Sequence, residues 1–354
     1  MSGTITDTIV PIADPSSLLQ MFVSHIKEDH GIDIDQAEDG SRFIAMDGFR
    51  VDFQARPQGL YVRLQAAHET MLIFFKEEIA SHVREIDAAA AENIRWSGEV
   101  TEAGELPPNF RVLRVIASTE IFEGMQRVTL SHEDTASMAA NGIHLRLMMP
   151  LDPSRTPVWP RMAANGAPVW PDGYDLLHAR FITLRHVRPD TGEVDIDIVR
   201  HDGGLISDWA RQAAAGQTVG VMGPAGPMRL PSTENLFLAG DGTALPAIAR
   251  HLEMAGSGAS GDVVVALPEG YAPDDYLAAT PLKVHVLPRE RFEDEIVAVA
   301  EKLTEPGVTS FAFFAGEFEN AQALRAHFKG RLGLDKNTQL STAYWRRGMP
   351  GFGS

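Results

Sequence analysis

The chain has 354 residues, 44% apolar and 22% charged, enough for two or three cored domains; a single small module and a mainly disordered chain are both excluded. Its formal charge of −17 leaves no basic footprint for phosphate backbones or anionic lipid, so neither nucleic acid nor membrane is an expected partner. Cysteine is absent, which removes disulfides, thiolate zinc sites, cysteine-ligated iron–sulfur clusters and cysteine nucleophiles, so redox chemistry here requires a bound cofactor.

The opening MSGTITDTIV has neither a basic n-region nor an apolar h-region, and no apolar run approaches the roughly eighteen residues of a bilayer span. A cytoplasmic location is expected. Leu18, Met21, Phe22 and Ile26 lie at helical spacing after Asp14-Pro15-Ser16, predicting a helix over 15–30. Segments 42–46, 50–55 and 60–66 alternate as short strands around Asp47-Gly48 and Pro57-Gln58-Gly59, and 68–89 returns to helical period. This predicts a small α+β domain over 1–104, followed by a polar linker, EAGELPPN, at 102–109. Its His25, His30, His68 and His82 read as surface or capping residues, since His25 and His30 are five apart and do not share a helix face.

From 105 to 230 the pattern is strands, at 111–118, 126–131, 143–149, 179–187, 194–200 and 217–222, with one helix at 205–215. An antiparallel β-barrel is expected. From 231 to 354 strands (235–239, 262–267, 283–287, 309–315, 338–345) alternate with helices (244–255, 291–304, 319–332), predicting an α/β domain with a parallel sheet. The net charge is −11 over 1–105, −1 over 106–229 and −5 over 230–354. The near-neutral, Arg-rich middle third is the better place to seat an anion.

Three stretches carry chemistry. In ARFITLR, on a late barrel strand, strict alternation puts Arg180, Ile182 and Leu184 on one side and Phe181, Thr183 and Arg185 on the other, unless a bulge re-aims one of them. Arginine offers a rigid fork for a diphosphate, and a threonine hydroxyl can hydrogen-bond a ring nitrogen. In His201-Asp202-Gly203-Gly204-Leu205-Ile206-Ser207 a strand end, a glycine turn and a helix start present free N–H groups and the positive end of a helix dipole. In Leu238-Ala239-Gly240-Asp241-Gly242-Thr243-Ala244 two glycines admit a ligand at the carboxyl end of the first parallel strand; Leu245 stands where a G-x-G-x-x-G motif has its third glycine.

Taken in order, these stretches, with VGVMGPAG (219–226), LAGDGTALPAIARHL (238–252), FFAGE (313–317) and AYWRRG (343–348), resemble the ferredoxin-reductase-like siderophore-interacting protein family of FAD-containing ferric-siderophore reductases over 108–354. Residues 13 to about 100 resemble a small domain of unknown function sometimes fused to it. The resemblance implies an FAD site at Arg180, Phe181, Ile182 and Thr183, with His201, Gly204, Leu205, Ile206 and Ser207 on its diphosphate side. It implies a nicotinamide nucleotide by Asp241, Thr243 and Ala244, and a ferric siderophore met by cations such as Arg146, Arg185 and Arg346, with Arg155, Arg161 and Arg188 in the same third. The family usually carries tyrosine, stacked on the flavin, where Ile182 stands, and an acidic residue at Gly242. Arg289 and Arg291, after the third strand of the α/β domain, favour NADPH over NADH as donor. Electrons are then expected to pass from NAD(P)H through FAD to siderophore-bound iron(III), with no protein acid, base or nucleophile and no protein-bound metal. Two alternatives stay open: a general NAD(P)H-flavin or ferredoxin-type reductase, and a non-catalytic siderophore or haem-iron binding protein.

Overall fold

The computed structural model describes residues 3–30, 34–46, 48–98, 101–140, 142–225, 235–277 and 280–349; Met1, Ser2, Asp47 and Gly226, read above, lie outside them, as does the side chain of His30. The N-terminal elements are β1 (Thr4–Val10), α1 (Pro15–His30), β2 (Asp35–Gln36), β3 (Arg42–Met46), β4 (Phe49–Arg56), β5 (Gly59–Ala66), α2 (Glu69–Ile86) and α3 (Ala88–Glu92). They form a five-stranded antiparallel sheet in the order β1-β5-β4-β3-β2. In β5 Leu60, Val62 and Leu64 are fully buried while Tyr61, Arg63 and Gln65 face outward, so one face takes the apolar sides of α1 (Leu18, Phe22) and α2 (Leu72, Ile79, Val83). Each such side chain contributes about 1.5–3 kcal/mol by leaving water.

The chain continues through β6 (Phe110–Phe122), β7 (Met125–Ser131), α4 (Ala136–Ala140), β8 (His144–Pro150), β9 (Arg161–Met162), β10 (Pro168–Val169), β11 (Leu177–Arg188), β12 (Glu193–Val199), α5 (Leu205–Gln212) and β13 (Thr218–Ala225). Six strands close an antiparallel barrel in the order β11-β12-β7-β6-β13-β8. Then β14 (Asn235–Gly240), α6 (Leu245–Met254), β15 (Ser260–Leu267), β16 (Lys283–Pro288), α7 (Arg289–Leu303), β17 (Phe311–Glu317), α8 (Phe318–Gly330) and β18 (Gln339–Trp345) build a five-stranded parallel sheet, β16-β15-β14-β17-β18. Central β14 is buried throughout. Its Leu236 and Leu238 pack on α6, and its Phe237 and Ala239 on α7 and α8, which is why it reads as an unbroken apolar run.

The expected architecture of small α+β unit, antiparallel barrel and parallel α/β sheet is present. Contacts divide the chain into two compact units, one of residues 1–111 and 149–178, the other of 112–148 and 179–354. This differs from expected boundaries at 104/105 and 230/231. The barrel and the α/β sheet pack as one unit, and the excursion 149–178 between β8 and β11 joins the N-terminal unit. There Ala167 enters the core, Trp96 Nε1 donates to the Asn165 carbonyl (2.9 Å), and Asn165 Nδ2 donates to the Ala91 carbonyl (3.0 Å). Among the described residues no helix is long and apolar enough to cross a membrane.

Candidate functional site

Strand β11 departs from simple alternation. Leu184 pairs with Ile196 and His186 with Asp195, so two steps on β11 match one on β12, and Arg185 is the extra residue of a bulge. As a result Thr183, Leu184 and Arg185 are buried in succession. Arg185 is thereby turned inward: Nη1 pairs with Glu253 on α6 (2.5 Å), Nη2 donates to the Tyr276 carbonyl (3.2 Å), and the guanidinium lies 5.2 Å from the Tyr276 ring centroid. It holds barrel to α/β sheet and is withdrawn from the substrate-facing role expected of it.

The first half of β11 is open. Arg180 makes one hydrogen bond, to the Ala179 carbonyl (2.6 Å), and no ion pair among the described residues, while burial pushes its pKa down. Ile182 is half-buried and Phe181 41% exposed; Arg146 on β8 lies over the Phe181 ring at 4.8 Å. Because β11 and β12 are antiparallel, the Arg180 end of one strand lies at the barrel end where the other leads to His201 and α5.

That turn is built for close backbone approach. Gly203 has φ +75°, and a Cβ on Gly204 would collide with the His201 ring. The Ser207 hydroxyl accepts from the His201 N–H and donates to the His201 carbonyl, both at 3.0 Å, so Ser207 pins the turn and does not itself present a free hydroxyl. Ile206 is buried against the barrel and Leu205 is exposed. The first intrahelical bond is Asp208 N–H to Gly204 (2.8 Å), which leaves the N–H groups of Leu205, Ile206 and Ser207 spare at the positive end of α5.

In the parallel sheet the strand order reverses between β14 and β17, the place in such sheets where ligands meet the carboxyl ends of the strands. Asp241 is buried there. Its Oδ1 accepts from the Thr243 N–H (2.7 Å) and hydroxyl (2.6 Å), its Oδ2 from Trp345 Nε1 (2.7 Å), and burial raises its pKa against those bonds. A Cβ on Gly316 would come 2.9 Å from Asp241 Oδ2, and one on Gly240 would meet Ala244 and the Ala315 carbonyl. Glu317 caps α8 and accepts from the Arg347 N–H at 3.2 Å. Ala244 is wholly buried in the core, and its N–H and carbonyl are bonded to Asp241 and Ile248, so it shapes the turn and presents no spare group to a ligand. At Gly242 a Cβ would find only ordinary contact with Val199, so no crowding explains why the usual acidic residue is missing. Arg346 stacks on Phe318 at 4.3 Å.

Sequence reasoning assigned no role to several groups that the fold assembles. His144 lies between Thr183 and Tyr344, and burial lowers its pKa to about 4. Tyr276 donates to Asp197 Oδ2 (2.6 Å), which Arg127 grips with Nε and Nη2, each at 2.8 Å. Partners 70 and 79 positions apart leave no local signal. Arg289 and Arg291 are engaged elsewhere: Arg289 donates to the Glu123 carbonyl (2.9 Å) and Arg291 pairs with Glu295 (2.9 Å), which removes the residue-level reason for preferring NADPH. In the N-terminal unit His68 is the N-cap of α2, and the His25 and His82 rings meet at 4.1 Å, His82 Nδ1 bonding the Glu78 carbonyl.

Residues 114–228 match the family model described as a siderophore-interacting FAD-binding domain, and residues 233–348 match the one described as siderophore-interacting protein. The chain is 30% identical over 246 residues to the ferric vibriobactin reductase ViuB of Vibrio cholerae, covering 67% of this chain and 90% of that protein. It is 30% identical over 250 residues to the NADPH-dependent ferric-chelate reductase of Escherichia coli, covering 67% of this chain and 92% of that protein. A siderophore utilization protein from T. fusca superposes with TM-score 0.57 at 26% identity, over 70% of this chain and 97% of that one.

Proposed function

The chain belongs to the siderophore-interacting protein family, and from that premise we propose that it is an FAD-dependent ferric-siderophore reductase, drawing electrons from NAD(P)H and releasing siderophore iron as iron(II) in the cytoplasm. The observation that carries the reading is Arg180, a half-desolvated guanidinium without a carboxylate partner among the described residues, at the barrel end where α5 leaves three N–H groups spare. That donor set fits a diphosphate, and so fits FAD.

When bound, FAD accepts a hydride's two electrons together and yields them singly, which matches a nicotinamide donor to one-electron iron. Arg180 and the α5 N-terminus hold the diphosphate, with Gly203 and Gly204 letting the backbone approach and Ser207 keeping the turn in shape. Thr183 offers its hydroxyl beside His144, and Ile182 gives apolar contact to the ring. The turn at Asp241 and Thr243, shaped by buried Ala244, takes the nicotinamide nucleotide, its glycines clearing the approach. Arg146 and Arg346 meet the anionic chelate. Iron(III) is hard and tightly held by siderophore oxygens while iron(II) is held far less tightly, so its reduction releases the metal.

The test is direct. Apo-protein titrated with FAD takes up the flavin and yields a yellow holoenzyme, which with NADPH or NADH transfers iron from a ferric siderophore to a ferrous trap. Absence of flavin uptake would overturn the reading; flavin uptake with iron transfer no faster than from simple ferric salts would reduce it to a general reductase.

A further inference from the structure

Three side chains from three elements meet beside the barrel wall without joining the diphosphate or nucleotide groups. The Thr183 hydroxyl on β11 lies 3.4 Å from His144 Nδ1 on β8, and His144 Nε2 lies 3.4 Å from the Tyr344 hydroxyl on β18. The two rings pack edge to face, with centroids 5.8 Å apart and planes at 89°. The Nε2–H tautomer satisfies both contacts, Nδ1 accepting from the Thr183 O–H and Nε2–H donating to the Tyr344 oxygen, whose own O–H remains to be given onward. Thr183 is buried, while His144 and Tyr344 each keep partial exposure, so the line leads from a buried hydroxyl to two groups that solvent can reach.

Resting on the reading that a flavin lies against Thr183, we propose that Thr183, His144 and Tyr344 form a relay that carries a proton from the flavin edge to solvent. The reaction requires one. A hydride brings two electrons and one proton; two iron(III) ions take one electron each, giving NAD(P)H + 2 Fe(III) → NAD(P)⁺ + 2 Fe(II) + H⁺, and the proton has to leave the site once for every two irons. A hydroxyl, an imidazole and a phenol in series can each accept on one side while donating on the other.

The surroundings suit a neutral relay. Burial keeps His144 uncharged above a pH of about 4. From α6 it is faced by His251, also buried and neutral, with Nδ1 lacking a partner among the described residues; Arg250 is next to it in sequence. Asp241 lies near enough to help raise the Tyr344 pKa, though burial contributes more. Arg146, two residues along β8, is turned over Phe181.

The test uses FAD-loaded protein, its flavin pre-reduced with NADPH and then mixed rapidly with ferric citrate in H₂O and D₂O. Tyr344→Phe keeps the ring and loses the O–H, and it is expected to slow flavin reoxidation relative to reduction by roughly a hundredfold or more, on the scale of lost general acid–base catalysis. His144→Ala is expected to show the same defect, with reoxidation restored by millimolar imidazole, an effect that a purely structural histidine would not give. Reoxidation at the parent rate with the parent isotope effect in Tyr344→Phe, or failure of imidazole to restore His144→Ala, would overturn the relay. FAD titration of each protein separates the two levels: parent apo-protein that takes up no flavin sinks the underlying reading, whereas normal uptake with unaltered reoxidation sinks the relay alone.

Discussion

At the proposed flavin site, Ile182 stands where the family's ring usually stacks on the flavin. An aliphatic side chain gives apolar contact without stacking, a difference of about 0.5–1.5 kcal/mol, or roughly two- to tenfold in affinity. Ile182→Tyr should tighten FAD by that factor and shift its visible absorbance, and Ile182→Ala should loosen it; equal Kd values for all three would mean that residue 182 does not touch the ring. Arg180→Ala removes a charge-assisted contact to the diphosphate and should weaken FAD by about ten- to a hundredfold, measured by the same titration. Ser207→Ala acts differently, since its hydroxyl ties the turn to itself; here the loss should appear in the ordering of 201–207 as well as in affinity. Arg185 shows the limit of reading single residues. Its strand and its charge were legible, but its direction depended on one extra residue in the pairing of β11 with β12, and a bulge of that kind has no signature in ARFITLR.

At the scale of elements, the joint between barrel and α/β sheet sets a buried polar cluster beside an apolar one of Phe122, Met125 and Ile143 against Leu245 and Tyr276. Asp197 on β12 is buried at the side chain, held by Arg127 from β7 and by the Tyr276 hydroxyl from the segment between β15 and β16. Removing one partner strands the others without water. Asp197→Ala should therefore cost roughly 3 kcal/mol, at the lower end of the range for broken buried pairs because Arg127 keeps some solvent. Tyr276→Phe should cost about 1.5–3 kcal/mol, the worth of a hydrogen bond to a charged group. Urea unfolding of the single and double variants checks both, and additive losses would show that the three groups do not act together. The strands and helices of 110–345 were largely legible because alternation, apolar runs and glycine turns all agreed there. Short or polar elements were not. β1 was missed because Thr6 and Thr8 fill its inward positions with hydroxyls bonded to the Ser97 and Arg95 carbonyls, which blunts the apolar alternation. β9 and β10 are two residues each, too short for any period.

For the molecule as a whole, buried His251 and half-buried His144 set an acid limit. Folding lowers His144 from 6.5 to about 4 and His251 from 6.5 to about 3, mainly by burial. Between those values the unfolded chain binds more protons, so stability is fully present above about pH 6.5 and falls as the pH drops toward 4 and then 3. Melting temperatures of the apo-protein across that window should decline, and His251→Phe should flatten the slope; a slope unchanged by the substitution would show that His251 is not responsible. The N-terminal unit raises a different question. Its sheet was expected to separate at 102–109, but Trp96 and Ala91 take partners from Asn165. A fragment starting at Pro107 should consequently melt lower or aggregate compared with one in which 149–178 is also replaced by a short loop, and equal behaviour of the two would mean that the excursion needs nothing from the front of the chain. The same arrangement bears on birth at the ribosome. The first unit to be made is not the first that can be finished, because 149–178 leaves the ribosome only after the first three barrel strands, a wait of roughly 3–13 s at about 5–20 residues per second. During that interval the indole of Trp96 and the carbonyl of Ala91 wait without their Asn165 partners, beside a front sheet whose five strands are already made.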